Sequence, residues 1–68
     1  MQYSEFIKQP QIERRFNSMF DREIEYYKEK FAHFGIKNER VNSVAIKMAS
    51  VSTDIYFTEL HKQLDKDK

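Results

Sequence analysis

The feature that most constrains the fold is a row of seven large apolar residues in the first half of the chain. They are spaced by three or four positions and are Ile12, Phe16, Phe20, Ile24, Tyr27, Phe31 and Phe34. This spacing places all seven on one side of an α-helix. A helix with so apolar a side is not stable alone in water, so we expect the other segments of the chain to cover it.

Length and composition limit what can supply that cover. A chain of 68 residues forms one domain. Such a domain buries only about 60% of the surface of its unfolded chain, so it commonly needs a disulfide, a metal or a partner. The sequence contains no cysteine, which excludes disulfides and thiolate zinc sites and agrees with a reducing compartment. We therefore expect oligomerisation.

Neither a membrane span nor a signal peptide is predicted. No apolar run approaches the roughly 20 residues that cross a bilayer, and the first residues lack a basic segment followed by an apolar core. One glycine, one proline and 34% charged residues favour helices, because strands need more turn residues. We expect a cytoplasmic protein without membrane contact.

The sequence predicts an all-α fold, in which a short N-terminal helix precedes a long antiparallel helical hairpin within one domain. The predicted helices cover about residues 4–8, 10–34 and 38–64, and a frayed tail follows at 65–68. Pro10 suits the first turn of a helix, and Gly35 suits the left-handed residue after one. Asn38 or Asn42 is the predicted N-cap of the last helix. In this hairpin, the numbers of facing residues sum to about 73.

The last helix carries two apolar stripes, about 140° apart at 100° per residue. The first stripe is Val41, Val44, Met48, Val51 and Ile55, and the second is Ile46, Ala49, Thr53, Phe57, Leu60 and Leu64. One neighbouring helix needs only one stripe, so we expect another element to cover the second stripe.

Two coverings of the second stripe are possible. Tyr3, Phe6 and Ile7 of the short helix can reach its distal half, whereas Ile46 and Ala49 near the hairpin tip suit a second subunit. We therefore predict a homodimer of the four-helix type. The alternative is a monomeric three-helix bundle with a few exposed apolar residues, which is common on protein surfaces.

No pattern of residues predicts catalysis, a cofactor or a metal. His33 and His61 lie far apart in the hairpin without an acidic cluster beside them, and no glycine-rich loop or nucleophile motif is present. We predict a non-enzymatic adaptor, inhibitor or regulator, such as an accessory protein of a mobile element, that contacts a protein partner through helical faces. The predicted interface residues are Met19, Tyr26, Ile46, Ala49, Thr53, Phe57 and Leu60.

The distribution of charge supports an alternative function. Between Lys28 and Lys47 the chain has five basic residues and two acidic ones, although the net charge of the whole chain is only +1. A basic hairpin tip can contact phosphates, so the alternative is a DNA- or RNA-binding regulator. Its predicted contact residues are Lys37, Arg40 and Lys47.

Overall fold

The computed structural model describes residues 1–66 and confirms the predicted all-α hairpin. Its helices are α1 (Tyr3–Phe6), α2 (Pro10–His33) and α3 (Val41–Lys66). The last helix begins at Val41 rather than near 38, and it continues through Asp65 and Lys66, which the sequence places in a frayed tail. The rest of that predicted tail, residues 67 and 68, lies outside the described residues.

Gly35 closes the hairpin turn as predicted. Its φ is +74°, which lies in the left-handed region that glycine adopts without steric cost. The Gly35 N–H donates to the Ala32 carbonyl at 3.0 Å, and the Ile36 N–H donates to the Phe31 carbonyl at 2.9 Å. These two hydrogen bonds form a Schellman motif, which satisfies carbonyls that the end of α2 would otherwise leave unpaired.

Asn38 guides the chain from the turn into α3. Its side-chain Oδ1 accepts a hydrogen bond from the Arg40 N–H at 2.9 Å, so the chain is bent just before the first helical residue, Val41. The prediction of the N-cap was nevertheless wrong, because Arg40 directly precedes α3, Asn38 lies two residues before Arg40, and Asn42 lies inside the helix.

A row of mostly small residues on α3 packs against α2, and we call it the inner row. Its members are Ala45, Ala49, Thr53 and Phe57, all of them buried. The rings of Phe57 and Phe16 lie 5.3 Å apart, and the numbers of these two residues sum to the predicted value. One polar contact also joins the helices, because the Ser52 hydroxyl donates to a Glu23 carboxylate oxygen at 2.8 Å.

The short helix α1 covers the distal end of α3, as predicted. Phe6 is buried, and its ring lies 5.1 Å from that of His61. The Tyr3 ring is 5.8 Å from the same histidine, and His61 Nε2 donates to the Met1 carbonyl at 2.7 Å. His61 therefore holds the N-terminal segment against the hairpin.

The molecule is one helix layer thick. Its principal extents are 47 × 20 × 14 Å, and a single helix with its side chains is about 10–12 Å across. The radius of gyration is 14.4 Å, whereas a compact domain of this length has one of about 11 Å. In a single layer each helix meets few neighbours, and no residue of α2 is fully buried.

Candidate functional site

The inner row corrects the assignment of the two stripes on α3. Ala49, Thr53 and Phe57 are predicted to contact a partner, but they lie in the core against α2, where Ala49 and Thr53 have no exposed surface. The physical reason is volume. The bulky rings of α2 fit against the small side chains of the inner row, which let the two helix backbones approach closely. While the hairpin is folded, these three residues are not available to a partner.

The side chains of the first stripe are exposed instead, and we call four of them the outer stripe. Its members are Val44, Met48, Val51 and Ile55. Their exposed fractions rise from 40% at Met48 to 65% at Ile55. The outer stripe lies about 150° around α3 from the inner row at 100° per residue. Since α2 packs against the inner row and α1 contacts His61 and Asp54, neither of these helices covers the outer stripe.

Three residues of the outer stripe, Met48, Val51 and Ile55, form one side of an open groove of about 470 Å³, and Tyr27 of α2 forms the other side. Including the half-buried Val41, the apolar residues follow spacings of three, four, three and four. This average of 3.5 residues is the repeat that lets two helices pack along a continuous seam. Lys47 and Asp54 immediately precede Met48 and Ile55, so one basic and one acidic residue border the seam on the same side.

The remaining predicted interface residues lie on other surfaces. Ile46 is 46% exposed and points about 140° away from Val51 at 100° per residue. Tyr26 is exposed on α2, where the Lys30 ammonium lies 5.4 Å from the centre of its ring. The structure therefore does not bring these two residues together with the outer stripe.

Met19 and Leu60 meet in a second groove, which we call the arginine groove. Six of its lining residues are Arg15, Met19, Arg22, Tyr56, Phe57 and Leu60. Sequence reasoning identified three of the apolar residues, Met19, Phe57 and Leu60, but missed the arginines. The signal for them was available, because Arg15 and Arg22 are seven positions apart on α2, and this spacing puts them on one side of the helix.

The three basic residues predicted to contact nucleic acid are all exposed near the hairpin tip. None of them forms an ion pair within residues 1–66. Arg40 lines a groove with Phe31 and Ile36 under the turn, whereas Lys47 borders the outer stripe. The three side chains therefore do not line one common groove.

Among the described residues, no group of three or more His, Cys, Asp or Glu side chains is arranged to hold a metal ion. The helices within residues 1–66 also include none that is both long enough and apolar enough to cross a membrane. Within residues 1–66, the fold and its surface define a helical-hairpin protein with one uncovered apolar stripe and several open grooves. Comparisons with known protein families, curated proteins and solved structures found no match.

Proposed function

We propose that the protein is a non-enzymatic regulator or adaptor that acts through protein–protein contact and works as a homodimer. In the dimer, the outer stripe of one copy packs against the outer stripe of the other. The observation that carries this proposal is the continuous exposure of Val44, Met48, Val51 and Ile55 at the spacing of a helical seam. Complete burial of such a side chain contributes about 1.5–3 kcal/mol. Because these four expose between 40% and 65% of their surface in the single chain, each would contribute roughly half of that to the interface.

The surface area of the single chain supports the same proposal. Its accessible surface is 5519 Å², whereas a compact monomer of its mass exposes about 4,600 Å². The excess of about 900 Å² is close to the area of about 800 Å² that each partner buries in an interface of standard size. A dimer would also add the second layer of helices that a domain core normally has.

The charges beside the outer stripe favour an antiparallel arrangement of the two α3 helices. In that arrangement, Met48 would pack against Val51 of the other copy, and this register would place Lys47 beside Asp54 of the other copy. The twofold symmetry of the dimer would form the Lys47–Asp54 pair twice. A parallel arrangement would instead place Asp54 beside Glu59 of the other copy. Opposite charges at the border of a seam stabilise it, and like charges oppose it.

Changing Val51 to Glu tests the dimer, because a carboxylate in the middle of the seam would be costly to bury. We expect the wild type to have about twice the 8.3 kDa mass of one chain in light scattering, and Val51→Glu to have the mass of one chain with unchanged helix content. Ile46→Glu is the matched control, since Ile46 is similarly exposed but points elsewhere. A monomeric wild type, or a monomeric Ile46→Glu beside a dimeric Val51→Glu, would refute the proposed interface.

Nucleic-acid binding by the hairpin tip stays a prediction. The observation in its favour is that Lys37, Arg40 and Lys47 are exposed and form no ion pair within residues 1–66. Salt separates the two functions, since phosphate contacts weaken steeply as salt rises, while burial of an apolar stripe does not.

A further inference from the structure

The arginine groove is a concave surface distinct from the outer stripe. Its volume is about 440 Å³, and ligand sites typically have roughly 300–1,000 Å³. The apolar lining comes from Met19 of α2 and from Tyr56, Phe57 and Leu60 of α3. Since Phe57 is also part of the inner row, the packing of the hairpin core fixes the shape of the groove. A partner with a few apolar side chains would find this surface already formed.

Two arginines on α2 give the groove its charge. Arg15 and Arg22 are separated by two helical turns, or about 10.5 Å along the axis, and neither forms an ion pair within residues 1–66. The acidic side chains nearby either contact residues outside the groove or do not line it. Glu25 pairs with Lys28 at 3.7 Å, and Glu59 accepts a hydrogen bond from Gln63 at 3.3 Å.

We propose that the arginine groove binds an acidic amphipathic helix of another protein. The apolar side chains of that helix would lie on Met19, Tyr56 and Leu60, and two of its carboxylates, about seven residues apart, would meet Arg15 and Arg22. A guanidinium group donates two parallel hydrogen bonds to a carboxylate, which gives both affinity and orientation. This inference rests on the proposed protein-contact function, and it names the partner's chemistry at a surface that the homodimer does not use.

The groove favours a peptide over a nucleic acid because its charges flank an apolar surface. Binding to phosphates is improved by several cations along a backbone path, and flat bases stack on exposed rings. Here only two cations line the groove, and Tyr56 is its one well-exposed ring, because Phe57 has only 2% of its surface exposed. Apolar anchors with acidic residues at helical spacing match both features of the groove, as in other helix-in-groove complexes.

The test uses a labelled 18-residue helical peptide with three Leu residues on one face and two Glu residues seven apart beside them. A second peptide has Gln at the two Glu positions, and a third has the two Glu residues five apart, on different sides of its helix. By fluorescence anisotropy, we expect the wild type to bind the first peptide at least tenfold more tightly than either of the others. We expect Arg15→Gln with Arg22→Gln to remove this preference.

Arg14→Gln is the matched control, because Arg14 is an exposed neighbour that does not line the groove, and it should bind the first peptide like the wild type. The monomeric Val51→Glu variant should also keep this binding, so loss of the dimer and loss of the groove can be told apart. Equal binding of all three peptides, no binding of any, or an equal loss in Arg14→Gln would overturn the proposal. The proposal would also fail if the double variant of Arg15 and Arg22 became monomeric. It would fail as well if no peptide bound the wild type and the double variant lost binding to a DNA 20-mer.

Discussion

The inner row and the outer stripe of α3 differ in the size of their side chains and in what covers them. The inner row has two alanines and a threonine before Phe57, and it is buried against α2. The outer stripe has larger aliphatic side chains, and 40% or more of each remains exposed. The helix α2 therefore packs against the inner row of α3, whose side chains fit the rings of α2, although the outer stripe has more apolar area. The more apolar side is then left exposed.

The largest expected effect comes from replacing one large side chain of the inner row by alanine, and it is compared with the same change in the outer stripe. Phe57→Ala would leave a cavity beside Phe16 and lower the free energy of unfolding by about 3–5 kcal/mol, which is most of the stability of a domain this small. Ile55→Ala, on the outer stripe, would hardly change the stability of the monomer but would weaken the dimer. Urea denaturation at low protein concentration measures the first effect, and the concentration dependence of the mass measures the second. Similar losses of monomer stability in both variants would contradict the comparison.

A smaller effect is expected from the charges that border the outer stripe. In the proposed antiparallel dimer, Asp54→Lys would place two lysines side by side at both ends of the seam, so we expect about a tenfold weaker dimer. Adding Lys47→Asp in the same chain would restore the opposite charges and most of the affinity. Sedimentation at several concentrations measures both. If Asp54→Lys alone strengthened the dimer, the helices would be parallel, because the new lysine would then lie beside Glu59 of the other copy.

The smallest expected effect is a gain in stability at the inner row. The hydroxyl of Thr53 is fully buried and has no hydrogen-bond partner within residues 1–66, and such an unpaired group costs about 1–3 kcal/mol. Thr53→Val keeps the shape of the side chain and removes that cost, so the free energy of unfolding should rise by about 1 kcal/mol. Ser52→Val, one position away, is the control and should lower it, because Ser52 donates its hydroxyl to Glu23. A Thr53→Val variant less stable than the wild type would contradict this account.

The sequence was sufficient to predict the hairpin because its determinants are local. The apolar row of α2, Pro10 and Gly35 each act within a few residues, and the facing of Phe16 and Phe57 follows from the position of the turn. The prediction for the stripes was wrong because both stripes repeat with nearly the same spacing. Periodicity cannot choose between them, since the choice depends on how side-chain volumes fit across two helices.

Two parts of the candidate site could be identified only from the three-dimensional structure, because both depend on how α2 and α3 pack together. The outer stripe became a candidate only when α2 was seen to pack on the opposite side of α3. The arginine groove combines residues of α2 and α3 that are far apart in the chain, so neither helix alone reveals it. A useful signal in the sequence was the row Ala45, Ala49 and Thr53, since small residues at a spacing of four often mark a close contact between helices.

The Gly35 turn also determines the order in which the two long helices can meet. Contacts next to the turn join residues that are near one another in the chain, and each contact further out closes only a little more chain than the one before. Pairing can therefore spread outward from the glycine with a small loss of chain entropy at each step. Topologies of this kind have a low contact order and belong to the fastest folders, so a single left-handed residue gives this chain a short route to its native state.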